Sequence, residues 1–177
     1  MGMDHQEKMN AVFDNYLKLS DMLTADGMAL LELDDNNDSW RRNFIRACSA
    51  LLEGYSHCFR EILNIGIEME PLDLTNKERK VILSESSIDT ADRIKYTLRS
   101  AYKVLNLSPA PDFSSQDWAN AKYGLDKRHS LMHPKIPEDL EISDDAWDRI
   151  HSGFTWLVEA HFNVIKLLYE MNIEKSN

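Results

Sequence analysis

The sequence predicts an all-α protein, an antiparallel up-and-down bundle of four to five main helices. Apolar residues recur at intervals of three and four along most of the chain, and no stretch keeps the alternation of a half-buried strand. Only 6 Gly and 5 Pro occur in 177 residues, too few for a β-sandwich or barrel with many tight turns. With 43% hydrophobic residues the chain can bury a core, and its length predicts a single domain over residues 1–177.

The first two helices are predicted in the N-terminal third of the chain. Helical spacing of apolar residues begins over residues 4–25, and a polar linker is expected over residues 31–38. The second helix, over residues 39–64, has the longest continuous apolar stripe in the sequence. Asp38 or Ser39 is a suitable N-cap for it, because short polar side chains accept hydrogen bonds from the first free backbone N–H groups.

A short helix and a longer one follow. Thr75 and Glu78 have the spacing of a capping box, in which each side chain accepts from the other residue's backbone N–H. This box predicts a short helix that ends near Leu83. A longer helix is expected over residues 88–105, and the two prolines of the next segment end it.

Two further helices complete the predicted bundle. One begins at Ser115, or at the serine before it, and runs to about Met132. Pro134 disfavours helical geometry at the residue before it, so this helix should loosen there. The last helix is capped by Ser143, has two aspartates in its first turn, and should reach about residue 173.

The formal net charge of −10 excludes a protein that binds duplex nucleic acid through a broad basic surface. The charge is uneven along the chain, with −7 over residues 1–38, zero over residues 39–121 and −6 over residues 136–177. Residues 122–135 carry +3. The bases of this segment are Lys122, Lys127, Arg128 and Lys135. The charge therefore does not exclude a small phosphate-binding site within residues 122–135.

The sequence lacks the motifs of several kinds of catalytic and binding site. The chain has no Gly-rich phosphate loop, no Cys-x-x-Cys and no His-Glu-x-x-His. Cys48 and Cys58 lie on the apolar stripe of the second helix, about 15 Å apart along its axis, so we expect two unpaired core thiols. Free thiols and the lack of a signal-peptide pattern predict a cytoplasmic protein. No apolar run is long enough to predict a membrane span.

Histidines could serve as ligands or as proton carriers. His129 and His133 are four residues apart, which is metal-ligand spacing on a helix. The positive charge around them opposes a divalent cation, so neither a metal nor another cofactor is expected. His151 and His161 fall on or beside the apolar stripe of the last helix, where a histidine is usually a hydrogen-bonded core residue.

Residues 127–135, with the sequence KRHSLMHPK, are the most informative of the chain. They hold an Arg, a polar residue directly after it, and a His five positions after the Arg. This arrangement of Arg128, His129 and His133 resembles the hallmark motif of HEPN domains. The motif also follows one helix and precedes a long C-terminal one, and residues 46–55 are similar in style to an early core helix of that family.

The resemblance implies a metal-independent endoribonuclease, or an RNA-binding domain, that acts as a homodimer. His133 would transfer protons, Arg128 would stabilise the phosphate, and His129 would orient the substrate or the other side chains. Lys127 and Lys135 would hold flanking phosphates. Such a protein would serve as a toxin or defence effector, restrained by an antitoxin or nucleotidyltransferase partner.

Two other interpretations stay open. Many HEPN domains are non-catalytic and act as binding or assembly modules. In the second interpretation, the chain is an unrelated helical bundle that serves as an interaction or scaffold module. In that case the bases near residue 128 only balance the negative end of their own helix dipole.

Overall fold

A computed structural model of the chain describes residues 4–33, 37–85 and 87–174. These residues form helices and no strand, which confirms the predicted all-α bundle. A 3-10 turn, Pro137–Leu140, follows the fifth helix. The helices are α1 (His5–Leu33), α2 (Asp38–Met69), α3 (Asn76–Ile82), α4 (Thr90–Val104), α5 (Gln116–Met132) and α6 (Asp144–Glu174).

Helices α1 and α2 run antiparallel and pack along their length. At one end His5 lies 3.5 Å from the carboxylate of Glu68. At the other end the indole N–H of Trp40 donates to the backbone carbonyl of Leu30. The first helix thus lies against the outside of the second, and its buried aromatic residues form a small core of their own with Tyr55.

Helix α6 runs parallel to α2. The ring of Phe44 lies 6.1 Å from that of His151, and further along both helices Phe59 lies 5.7 Å from His161. Helix α4 is also parallel to α2. Its first residue, Thr90, lines one cavity together with residues 53–60 of α2, and the C-terminal ends of the two helices line a second cavity. The short α3 is the return segment between α2 and α4.

Helix α5 runs antiparallel to α6 and contacts it closely at glycines. A Cβ atom at Gly153 would lie 2.2 Å from the backbone nitrogen of Ala121. One turn along, a Cβ at Gly124 would lie 2.5 Å from the ring of Phe154. The absence of side chains at these two positions lets the helix axes approach, and this approach sets where the C-terminal end of α5 lies.

The main core lies between α2, α4, α5 and α6. Its members are apolar side chains that are almost completely removed from water, which is the dominant favourable contribution to folding. Those with the lowest exposure include Ile45, Leu52, Phe59, Ile94, Leu98, Ala121, Ile150, Phe154, Leu157 and Val164. None of the helices in the described ranges is long and apolar enough to cross a membrane.

The N-terminal boundaries differ from the sequence prediction. Helix α1 continues to Leu33, so the linker predicted over residues 31–38 is shorter, and residues 34–36 lie outside the described part. The N-cap of α2 is Asn37, whose side-chain oxygen accepts from the backbone N–H of Trp40 at 2.9 Å. The predicted caps Asp38 and Ser39 were therefore wrong by one and two residues, because Asn is as good a cap as either.

The other predicted caps are confirmed. Thr75 and Glu78 form both hydrogen bonds of the capping box, at 3.2 and 2.8 Å. Ser115 accepts from the backbone N–H of Trp118 at 3.2 Å. Ser143 accepts from Ala146 at 3.3 Å at the start of α6. These local signals fix the ends of the helices that flank the candidate site.

Candidate functional site

The C-terminal end of α5 brings His129 and His133 together. Their ring centroids are 5.2 Å apart with an interplanar angle of 57°. The backbone N–H of His133 donates to the carbonyl of His129 at 3.1 Å and closes the last turn, while the backbone of His133 has left helical geometry, as predicted from Pro134. Both imidazoles are exposed to solvent. Two exposed imidazoles within a side chain's reach can give and take protons at one bound group.

Arg128 lies one turn before His133 and points toward α2. One nitrogen of its guanidinium, Nη2, is 3.4 Å from the Oε1 atom of Glu53, and both side chains are about two-thirds buried, with 30% and 36% exposed. The carboxylate thus orients the guanidinium while part of it stays accessible. Sequence reasoning did not assign Glu53 this role, because an ion pair between two helices leaves no local signal in the sequence.

Three arginines at the start of α2 hold the segment between α5 and α6. They donate to backbone carbonyls on both sides of His133, which anchors the segment that carries this histidine. Arg41 also forms a 2.7 Å bond to the carboxylate of Asp144. The carbonyl acceptors, all at 3.0 Å, are Leu131 for Arg46, Leu140 for Arg42 and Ile142 for Arg41.

The lysines predicted to hold flanking phosphates lie around Asp139. The carboxylate of Asp139 accepts from the backbone N–H groups of Lys135 and Ile136 at 2.8 and 3.3 Å. These bonds, with smaller contributions from the charges of Lys127 and Lys135, hold the pKa of Asp139 below its usual range. Lys122 is 3.0 Å from the carboxylate of Asp126. The positive charge of this segment is therefore partly neutralised within it.

The other candidate nucleophiles and proton carriers occupy different surroundings. Cys48 and Cys58 are unpaired, and burial raises the pKa of each thiol to about 12, so neither is a thiolate near neutral pH. His161 is fully buried, as its place on the apolar stripe predicted. The same expectation was wrong for His151, which is exposed because it lies at the edge of the stripe, with its ring tilted by 41° to that of Trp147. Within the described ranges no three His, Cys, Asp or Glu side chains cluster in a way that could hold a metal ion.

No protein-family model, no curated protein and no solved structure matches this chain. The chemistry of the site is therefore inferred from its own side chains. These are two adjacent imidazoles, a guanidinium held by a carboxylate, and two lysines at the edge of the same helix end.

Proposed function

We propose that the chain cleaves RNA without a metal ion, at the end of α5. The observation that supports this best is the grouping of Arg128, His129 and His133 on one exposed helix end, with Glu53 orienting the guanidinium. Arg128 supplies a cation held by Glu53, and His129 and His133 supply two adjacent imidazoles at the end of the same helix. This is the set of side chains that the resemblance to HEPN domains requires.

The reaction is an attack by the ribose 2′-oxygen on the adjacent phosphorus. The 2′-hydroxyl loses its proton, the bond to the 5′-oxygen breaks, and that oxygen takes up a proton as it leaves. The products are a 2′,3′-cyclic phosphate and a 5′-hydroxyl. His133 transfers these protons, because histidine exchanges protons readily near neutral pH. Arg128 stabilises the extra negative charge on the phosphorus centre, and His129 orients the substrate.

A symmetric dimer would complete this chemistry. One histidine must accept a proton while another donates one, and a two-fold axis near the end of α5 would bring two sets of Arg128 and His133 together. Lys127 and Lys135 would hold the flanking phosphates. As a toxin or defence effector the protein would need an inhibitor, and an acidic chain favours association with a basic antitoxin or nucleotidyltransferase partner.

The first test is cleavage of a fluorescent single-stranded oligoribonucleotide in the presence of EDTA. We expect cutting to a 2′,3′-cyclic phosphate product, and we expect His133→Ala to lower the rate at least about a hundredfold, because general acid–base groups contribute about that much or more. His5→Ala is the matched control. This exposed histidine lies beside Glu68, at the opposite end of α2 from the site, and its removal should leave the rate unchanged.

The outcomes of this experiment separate the open interpretations. Loss of cutting in EDTA with recovery on adding Mg²⁺ would contradict the metal-free mechanism. Equal rates in the two variants would remove His133 from the reaction. Binding of the oligonucleotide without cleavage, weakened by Arg128→Gln, would instead identify a non-catalytic RNA-binding module.

The second test is the mass of the protein in solution. Light scattering coupled to size-exclusion chromatography should give twice the chain mass of 20.5 kDa. Crosslinking through a cysteine introduced at Met132, an exposed residue beside His133, should then join two chains. A monomer that cleaves RNA at full rate would overturn the shared site.

A further inference from the structure

A polar cavity of about 220 Å³ lies between α2 and α4 and extends along α2 from Glu53 to Arg60. Its volume is several times the space of one water molecule, about 30 Å³ in the liquid, so it can take a small ligand. Unlike the core beneath it, the cavity wall is mostly polar. Its residues are Glu53, Ser56, His57 and Arg60 of α2, and Thr90, Arg93 and Ile94 of α4.

Two arginines face this cavity from opposite helices. Arg60 and Arg93 also line a neighbouring cavity of about 170 Å³. Among the described side chains, no carboxylate lies within ion-pair distance of either guanidinium. Burial, and after it the charge of Arg93, lower the pKa of Arg60, while the charge of Glu61 acts in the opposite direction. Two like charges side by side repel each other unless an anion joins them.

Buried donors beside these arginines also lack partners. The hydroxyl of Ser56 and the Nε atom of Arg60 are inaccessible to solvent and form no hydrogen bond with any residue that the structure describes. The other nitrogens of Arg60 lie 3.1 Å from the hydroxyl of Ser84 and 3.4 Å from the ring of His57. Among the described residues, Arg93 donates to the carbonyl of Ile88 alone, at 3.3 Å. A buried donor without an acceptor costs stability, so an acceptor with several oxygens fits this wall.

The remaining charges of the cavity do not oppose an anion strongly. Glu53 is its one acidic lining residue, and Arg128 lies 3.4 Å from that carboxylate. Glu61, which adjoins Arg60 in sequence, is exposed to solvent. Thr90 is the first residue of α4, where the partial positive charge of the helix dipole adds to the two guanidinium groups.

We propose that this cavity binds a phosphate-class oxyanion between Arg60 and Arg93. The guanidinium groups neutralise its charge from two sides. Two ligands have this chemistry. One is a phosphodiester of an RNA strand that reaches Arg128, and the other is a free phosphate. The oxyanion site does not depend on the proposed cleavage, because none of its cationic residues takes part in that reaction.

The test is calorimetric titration of the full chain with inorganic phosphate at constant ionic strength. We expect saturable binding that Arg60→Gln weakens at least about tenfold, since a charge-assisted pair of hydrogen bonds is lost. Arg99→Gln is the matched control. Like Arg60→Gln, this substitution removes one positive charge, but the charge is on α4. Arg99 is exposed and lies near Glu78, away from the cavity. Its affinity for phosphate should equal that of the wild type.

A second measurement guards against simple misfolding of the variant. In phosphate-free buffer Arg60→Gln should unfold at the wild-type temperature or above it, because the repulsion from Arg93 is removed. Phosphate should then raise the unfolding temperature of the wild type and of Arg99→Gln only. Absence of phosphate binding, or equal binding by the Arg60 and Arg99 variants, overturns the proposal.

A third arm identifies the source of the oxyanion. The same three proteins are titrated with a non-cleavable 2′-O-methyl oligonucleotide of four residues. If Arg60→Gln weakens both ligands, the site holds a phosphate of a nucleic-acid strand. If it weakens inorganic phosphate alone, the ligand is a free phosphate. Both results support the oxyanion site, and neither requires that RNA be cleaved.

Discussion

Replacing Gly153 by alanine should lower the free energy of unfolding by at least about 3 kcal/mol. The new Cβ atom would lie 2.2 Å from the backbone nitrogen of Ala121 and 2.4 Å from the carbonyl carbon of Asn120. Both atoms belong to the main chain of α5, so no side chain can turn away. The helices must separate instead, and the contacts that α5 forms around Gly124 are lost along with the first.

Urea denaturation of Gly153→Ala and of two matched glycine variants measures this effect. Gly124→Ala should cost less, because its Cβ meets the ring of Phe154, which can shift. Gly27→Ala meets no atom within 4 Å on α1, and it should raise stability by about 0.5–1 kcal/mol, the usual advantage of Ala over Gly inside a helix. An unchanged midpoint for Gly153→Ala would show that the two helices are not packed as described.

The buried His161 should make the protein sensitive to mild acid. Its Nδ1 atom lies 2.7 Å from the carbonyl of Leu157, so Nδ1 carries the proton, and Nε2 is buried without a partner. Complete burial lowers the pKa of His161 from 6.5 to about 4. As the pH falls below about 6.5, His161 binds a proton in the unfolded chain. In the folded chain it stays neutral until about pH 4. Stability is therefore full above pH 6.5 and decreases over this range, by about 3 kcal/mol at its lower end.

His161→Leu tests this assignment. The free energy of unfolding of the wild type should fall by about 2 kcal/mol more than that of the variant between pH 7 and pH 4.5. At pH 7 the two proteins should differ little, because an apolar side chain suits the surroundings formed by Tyr55 and Phe59. His151→Leu removes an exposed histidine from the same helix and is the control. Identical pH dependence in the wild type and His161→Leu would rule out the buried neutral imidazole.

The fold could be predicted from sequence where local signals are complete. The apolar stripe of α2 and the caps Thr75, Ser115 and Ser143 each depend on residues within a few positions of one another, and all appear where they were expected. The end of α1 was missed because the linker was drawn from the polar run after Leu33. The residues before it, among them Leu30, contact α2 and continue the helix to Leu33.

The candidate site was predictable only along one helix. Spacing alone put Arg128 near His129 and His133, since all three lie within six residues of α5 and its cap. The partner that orients Arg128 is Glu53 of α2, which is 75 positions away in the chain. Neither this ion pair nor the pairing of Arg60 with Arg93 has a local signature, because both depend on the relative rotation of packed helices.

The arginines at the start of α2 have a consequence for how this protein can vary. Arg41, Arg42 and Arg46 each donate to a main-chain carbonyl in or beside the connection between α5 and α6. Every residue type has such a carbonyl. The exposed side chains of that connection, such as Ile136 and Glu138, can therefore be exchanged with little loss of anchorage. The surface around His133 can therefore change its side chains while the backbone of this segment keeps its position.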